Sequence, residues 1–315
     1  MILKIEEALF NFNKPWHYLY ALVLLPFSAL FCAVSIYKKL STKPKPQPLP
    51  IISVGNLTVG GSGKSPFTIE LCSIFGHPCV VSRGYGRKSK GMVVVSKSGV
   101  LKVDATVGGD EAVMIALACK NASVIVSEDR QEGIAKALEF GADVVILDDG
   151  FGKFTIEKLD VLLKPRKPYK NIFCLPSGPY RYPLFFEKFA DLIAVEGVDF
   201  KRVVSEIKAE KFFVVTAISN PNRLLEYIDI EPEDRYFFAD HTFFDKSTIQ
   251  SIVDKNTGKT MVCTKKDGVK LRGLGFLFEE IDMKIEFSDN FKNLLIAKAT
   301  DKFRGFGFEI SNKLV

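Results

Sequence analysis

Histidine is scarce in this 315-residue chain: only His17, His77 and His241 are present. The six cysteines (Cys32, Cys72, Cys79, Cys119, Cys174 and Cys263) are scattered, and no pair has the spacing of a structural metal site or of a disulfide framework. A zinc module and a disulfide-stapled scaffold are thereby excluded. Reduced, mostly buried thiols in a cytosolic body fit instead. Net charge is also small, at +6, and it is dispersed. It suits an anionic small ligand or a phospholipid surface and gives no basis for a nucleic-acid partner. Internal repeats are absent, and low complexity is confined to a short Pro/Lys stretch. With 25% charged and 47% hydrophobic residues the chain is globular rather than disordered. Its length gives room for two domains, each with its own core.

Formal charge is missing altogether from His17 to Tyr37, a run rich in Leu, Phe, Ala and Val. As a helix it just suffices to span a hydrocarbon core. Trp16, Tyr18 and Tyr20 at one edge suit a membrane interface, and Pro26 predicts a kink. Lys38, Lys39, Lys43 and Lys45 follow, with no acidic residue through Pro50. Such a flank belongs on the cytoplasmic side and attracts anionic lipid. Basic residues after the apolar run, rather than before it, argue against a cleaved signal peptide. The alternative is a buried hydrophobic helix of the globular body. Spanning and lying in the interface both remain open.

Pro44, Pro46, Pro48 and Pro50 predict a stiff extended linker. Beyond it, Val/Ile-rich runs alternate with helical patterns. Strands are expected at Ile51–Val54, Cys79–Ser82, Met92–Val95, Ser123–Ser127, Val144–Leu147, Leu159–Leu163 and Leu192–Val195. Helices are expected at Ser65–Phe75, Asp110–Lys120 and Arg130–Phe140. Near-continuous apolar strands separated by helices predict a mostly parallel sheet covered on both faces. A smaller α/β unit begins near Phe212. The expected class is α/β: a phosphate-loop NTPase domain over 41–208, a smaller C-terminal α/β domain over 209–315, and a membrane-anchoring helix over 1–40.

Ligands of such sheets bind beyond the carboxyl ends of the strands. Strand Ile51–Val54 runs into Gly55-Asn56-Leu57-Thr58-Val59-Gly60-Gly61-Ser62-Gly63-Lys64-Ser65-Pro66. Glycines here let backbone N–H groups face phosphate oxygens at a helix N-terminus. Lys64 would reach the β- and γ-phosphates, and Ser65 would place its hydroxyl on Mg²⁺. Thr58 stands where the strict pattern has Gly. Strand Val144–Leu147 ends in Asp148-Asp149-Gly150, the form of a Walker B element holding the metal; a plain turn is the alternative. Asp110 and Glu111 open a helix after Gly108-Gly109. They are candidates for accepting a proton from an alcohol, or for merely complementing the helix dipole. Arg83-Gly84-Tyr85-Gly86-Arg87-Lys88 follows strand Cys79–Ser82 and suits an anionic ligand or a solvated loop. His241 follows a strand end, where a single histidine is more often an ordinary polar turn residue than a catalytic one.

Together these segments resemble the tetraacyldisaccharide 4'-kinases of lipid A biosynthesis. The resemblance rests on Gly55–Pro66, Val81–Gly86, Gly109–Glu111, Asp148–Gly150, Leu175–Arg181, Ala239–His241 and Thr264–Lys270, in family order. It implies transfer of the γ-phosphate of ATP to the 4'-hydroxyl of a tetraacylated glucosamine disaccharide 1-phosphate, at the cytoplasmic face of the inner membrane. It implies Asp110 as base, paired with His241, beside Lys64. Thr58, Gly60, Gly61, Ser62, Gly63, Lys64 and Ser65 would hold nucleotide. Ser65, Glu111, Asp148 and Asp149 would hold Mg²⁺, and Arg83, Tyr85 and Arg181 would face the acceptor. This chain has Phe151-Gly152-Lys153 where the family usually has Leu-Gln-His, and Tyr182 where it usually has Glu. The rival class is a membrane-associated regulatory P-loop ATPase. Many of those carry a Lys at the place of Val59.

Overall fold

The computed structural model describes residues 9–10, 12–60, 63–218, 221–225, 228, 230–239 and 242–306. Of the expected site residues, Gly61, Ser62 and His241 lie outside these. The uncharged N-terminal run is helix α1 (Pro15–Ser41), which continues through Pro26. Strand β1 (Ile51–Gly55) leads into helix α2 (Lys64–Cys72). Strands β2 (Pro78–Ser82), β3 (Val93–Lys97) and β4 (Val100–Leu101) follow, then the single turn α3 (Ala105–Gly108) and helix α4 (Asp110–Ala118). Next come β5 (Ser123–Val126), α5 (Arg130–Glu139), β6 (Val144–Asp148), β7 (Leu159–Lys164) and β8 (Leu192–Val195). The remainder holds β9 (Phe200–Val204), β10 (Phe212–Thr216), α6 (Pro221–Leu225), β11 (Asp234–Phe237) and α7 (Lys246–Lys255). It ends with β12 (Thr260–Thr264), α8 (Lys265–Arg272), β13 (Glu279–Ile281), β14 (Met283–Phe287) and α9 (Asp289–Lys302).

Described residues up to Lys64, Asp149–Phe200 and 288–306 form one compact unit; Ser65–Asp148 and Lys201–Phe287 form another. In the first unit β7 lies between β1 and β8, all parallel, with Ile52 opposite Leu159 and Val161 opposite Leu192. In the second, strands run in the order β4-β3-β5-β2-β6. β2 is parallel to β5 and β6, and β3 is antiparallel to its neighbours. A separate sheet of order β11-β10-β12-β13 is wholly parallel. β1, β2, β5, β6 and β10 are buried along their whole length, as expected of parallel strands covered on both faces.

Helix starts follow local chemistry. Asp129, Asp245, Thr264 and Ser288 each accept a backbone N–H at the head of α5, α7, α8 and α9. Helix α8 was not anticipated, because Lys-Lys-Asp-Gly-Val-Lys-Leu-Arg is polar and carries Gly268 in its interior. β9, β13 and β14 were likewise unforeseen. In the Pro-rich linker Lys45 forms a parallel bridge with Ile156.

Helix α1 is inside-out. Its buried positions are His17, Ala21, Ser28 and Ser35, a stripe of small or polar residues at helical spacing. Leu19, Leu22, Val23, Phe27 and Leu30 are exposed. The Ser28 hydroxyl lies 2.8 Å from both the Cys174 carbonyl and the Ser177 hydroxyl, and Ser177 Oγ donates to the Ala21 carbonyl at 2.9 Å. The helix is therefore not a core helix with its apolar side turned in. All six cysteines are free, and five are buried.

Candidate active site

The Gly-rich turn leaves β1 at Gly55 and ends where Lys64 opens α2. Gly60 and Gly63 adopt φ of 90° and 83°, a left-handed backbone that side-chain-bearing residues disfavour. The Lys64 ammonium donates to Asn56 Oδ1 at 3.1 Å and lies 3.5 Å from Asp149 Oδ1. Asp149 itself has φ of 54°, uncommon without glycine, just past the end of β6. Arg181 grips both of its oxygens, at 2.9 and 3.0 Å. The same guanidinium donates to Asn56 Oδ1 at 2.8 Å and to the Thr58 carbonyl at 3.2 Å. Asn56 in turn donates to Thr58 Oγ1 at 3.0 Å. Backbone bonds from Val59 to Pro179 and from Arg181 to Leu57 fasten the two loops together. Withdrawal from water pushes the Asp149 carboxyl up. Lys64 and Arg181 outweigh this and hold it well below the ordinary carboxylate range.

Arg181 was expected on the acceptor side. Its partners here are Asp149, Asn56 and Thr58, around the Gly-rich turn. Asn56, which bridges Lys64, Thr58 and Arg181, had no role in the sequence reading although it stands inside the Gly-Asn-Leu-Thr motif. Its amide is both donor and acceptor, which is what joining a hydroxyl to two cations requires.

The second unit carries the other carboxylates. Asp148 ends β6 buried, and Thr68 of α2 donates to it at 3.3 Å. Ser65, next in the chain after Lys64, is also buried. Asp110 is the first residue of α4 and is buried. Its Oδ1 accepts the Glu111 N–H at 2.9 Å, and its Oδ2 lies 3.2 Å from Lys270 Nζ and 3.9 Å from Lys266 Nζ. Lys266 pairs with Glu111 at 3.1 Å. Asp267, between these lysines, accepts the Thr216 and Thr264 hydroxyls at 2.7 Å each and the Ala217 N–H at 3.2 Å. Burial nevertheless pushes its carboxyl up. The segment Thr264–Lys270 had been matched as a motif without a role. The signal was available: two lysines and an acid immediately after strand β12, at its carboxyl end.

Arg83 and Tyr85, on the loop after β2, are exposed. That loop meets the head of α4, since a Cβ on Gly109 would sit 3.2 Å from the Tyr85 carbonyl. In the first unit Gly152 and Tyr182, the two places where the chain departs from the motif pattern, lie against each other. A Cβ on Gly152 would fall 2.0 Å from the Tyr182 hydroxyl. The Tyr182 ring stacks on Phe186 at 5.3 Å and meets Phe151 and Phe154 edge-on.

A lysine and an arginine thus converge on one carboxylate beside a strand-to-helix turn. A family model described as Tetraacyldisaccharide-1-P 4'-kinase matches residues 20–205 and 200–300. A tetraacyldisaccharide 4'-kinase from Aliarcobacter butzleri is 43% identical over 298 residues, 90% of this chain and 94% of that protein. One from Campylobacter jejuni is 43% identical over 284 residues, 89% and 92% of the two chains. Among solved structures, LpxK from Aquifex aeolicus in complex with ATP superposes with a TM-score of 0.73 at 29% identity, covering 90% of this chain and 99% of that one. A resemblance first carried by short motifs thus extends over nearly the whole chain, and the protein belongs to the tetraacyldisaccharide-1-phosphate 4'-kinase family.

Proposed function

We propose that this chain transfers the γ-phosphate of ATP to the 4'-hydroxyl of tetraacyldisaccharide 1-phosphate, in lipid A biosynthesis. The observation that supports this site for the transfer is the convergence of Lys64 and Arg181 on Asp149 at the phosphate loop. An arriving triphosphate offers those cations more charge than one carboxylate does, so it would displace Asp149 from them. Lys64, with Thr58, Gly60, Gly61, Ser62, Gly63 and Ser65, would hold the β- and γ-phosphates and stabilise charge developing in transfer.

The oxygen donors available are those that suit Mg²⁺. Among the described residues no three His, Cys, Asp or Glu converge into a ready cage. Mg²⁺ needs none, being held by one or two carboxylates together with substrate phosphates and water. Ser65, Asp148, Asp149 and Glu111 would supply the protein's share, and the ion would neutralise charge on the β- and γ-oxygens. Asp110 would accept the proton of the sugar hydroxyl, with His241 as its partner, while Arg83 and Tyr85 would face the acceptor.

The division of labour we infer is an anchor over 1–40, a kinase domain over 41–208 and a smaller domain over 209–315. The exposed apolar side of α1 and the lysines after it support attachment to the cytoplasmic face of the inner membrane. The deciding experiment is transfer from labelled ATP to purified disaccharide 1-phosphate, with the new phosphate located on the product. Label at the 4' position is the expected result. ATP turnover that ignores the acceptor would instead favour a regulatory ATPase.

A further inference from the structure

Lys270 is a lysine whose side chain is only 4% exposed, and the mechanism above gives it no task. Burying an ammonium is costly unless it is paired and hydrogen-bonded, and this one is held on several sides. Its Nζ lies 3.2 Å from Asp110 Oδ2 and donates to the Thr242 carbonyl at 3.2 Å. Asp267 Oδ1 is 3.9 Å away, and the Phe244 ring centroid is 5.6 Å away. Asp267 is fixed in turn by the Thr216 hydroxyl at the end of β10, the Thr264 hydroxyl at the end of β12 and the Ala217 N–H. A line of contacts therefore runs from the carboxyl ends of two central strands of the C-terminal sheet, through Asp267 and Lys270, to Asp110.

The geometry points to Lys270 as a positioning residue for the transfer reaction: it holds the Asp110 carboxylate in the orientation needed to take the acceptor's proton. With Oδ1 bound to the Glu111 N–H and Oδ2 to Lys270, rotation of the carboxylate about its own axis is blocked from both sides. Asp267 sets where the Lys270 ammonium stands, so the C-terminal sheet contributes to chemistry by fixing this distance. The inference rests on the reading of Asp110 as the base.

The test compares Lys270→Met, Asp110→Ala and the double variant in the transfer assay, with kcat and the KM for ATP measured separately. Misplacing a reacting group by about 1 Å typically costs about 10²-fold. Lys270→Met should lower kcat by about that factor and leave the KM for ATP within about threefold of wild type. The double variant should be no slower than Asp110→Ala alone, because nothing remains to be positioned. Lys270→Gln, which keeps an amide donor in the same place, should lose about tenfold by the same logic. It carries the comparison if the Met variant does not fold. Wild-type kcat in either folded variant overturns the inference. Losses that multiply in the double variant overturn it as well, since they would mean that Lys270 acts on the phosphates by itself. If Asp110→Ala keeps its kcat, the underlying assignment of the base fails, which is a different outcome.

Discussion

At the scale of single residues the site is a contest for cations. Lys64 and Arg181 share Asp149, and both also hold Asn56. The two cations are not interchangeable. Arg181 presents a planar fork that matches both carboxylate oxygens, whereas Lys64 is a point charge on a flexible stem at the head of α2. A point charge that can leave one anion for another suits a phosphoryl group in transit. Lys64→Ala should therefore lower kcat by about 10²-fold or more, as the loss of one preorganised contact worth ~3 kcal/mol does elsewhere. Thermal stability should change little, since Lys64 leaves a half-exposed carboxylate that Arg181 still holds. Near-normal turnover by the Ala variant, measured with saturating ATP, would remove the phosphate loop from the mechanism.

At the scale of elements, the turn after β6 and the loop that carries Arg181 are fitted to one another. Phe151, Phe154, Tyr182 and Phe186 form an aromatic cluster under these two segments. Tyr182 cannot swing away, because its ring is stacked on Phe186 and flanked by the other two. Gly152 is consequently required by the tyrosine hydroxyl that lies over it. Gly152→Ala should destabilise the protein by about 1–3 kcal/mol through overpacking. Removing the hydroxyl leaves the ring carbon 3.2 Å from the added Cβ, close but relievable by a small shift. Tyr182→Phe should then recover most of the loss, so thermal unfolding of the single and double variants gives a strongly non-additive cycle. Additive losses would show that the two positions are independent, and that the paired departure from the family pattern is coincidental.

At the scale of the whole molecule, α1 is set apart by its reversed polarity. Its small and polar stripe is bonded to the segment Cys174–Ser177, which leads into the loop holding Arg181. Leu19, Leu22, Val23, Phe27 and Leu30 are exposed, on a helix long and apolar enough to cross a membrane. Deleting residues 1–40 should move the protein from the membrane pellet to the soluble fraction and lower its efficiency on lipid presented in vesicles. Pelleting at high salt by the truncated chain would contradict anchoring through α1. Residual attachment that salt abolishes would point to the basic loops instead.

The sequence by itself determined the local units and their order. Val/Ile runs specified parallel strands, the glycines and Lys64 specified a strand-to-helix turn, and Asp148-Asp149 specified an acidic strand end, because each of these is encoded within a few neighbouring residues. Motif order was enough to indicate the family. What α1 turns inward was decided only by packing: composition marks an apolar run, and which of its faces meets protein depends on Ser177, far away in the chain. The partners of the carboxylates were decided there too. Asp149 meets Arg181 in one unit, and Asp110 meets Lys270 in the other, because within each unit segments distant in sequence end side by side. Helix α8 itself was hidden, since Gly268 and a run of charges weaken every local helix signal, and it is held by the Thr264 cap and by its contacts with α4. Local propensity is written in adjacent residues, whereas the pairing of charges across a fold exists only once the chain has closed its long loops and buried the groups together.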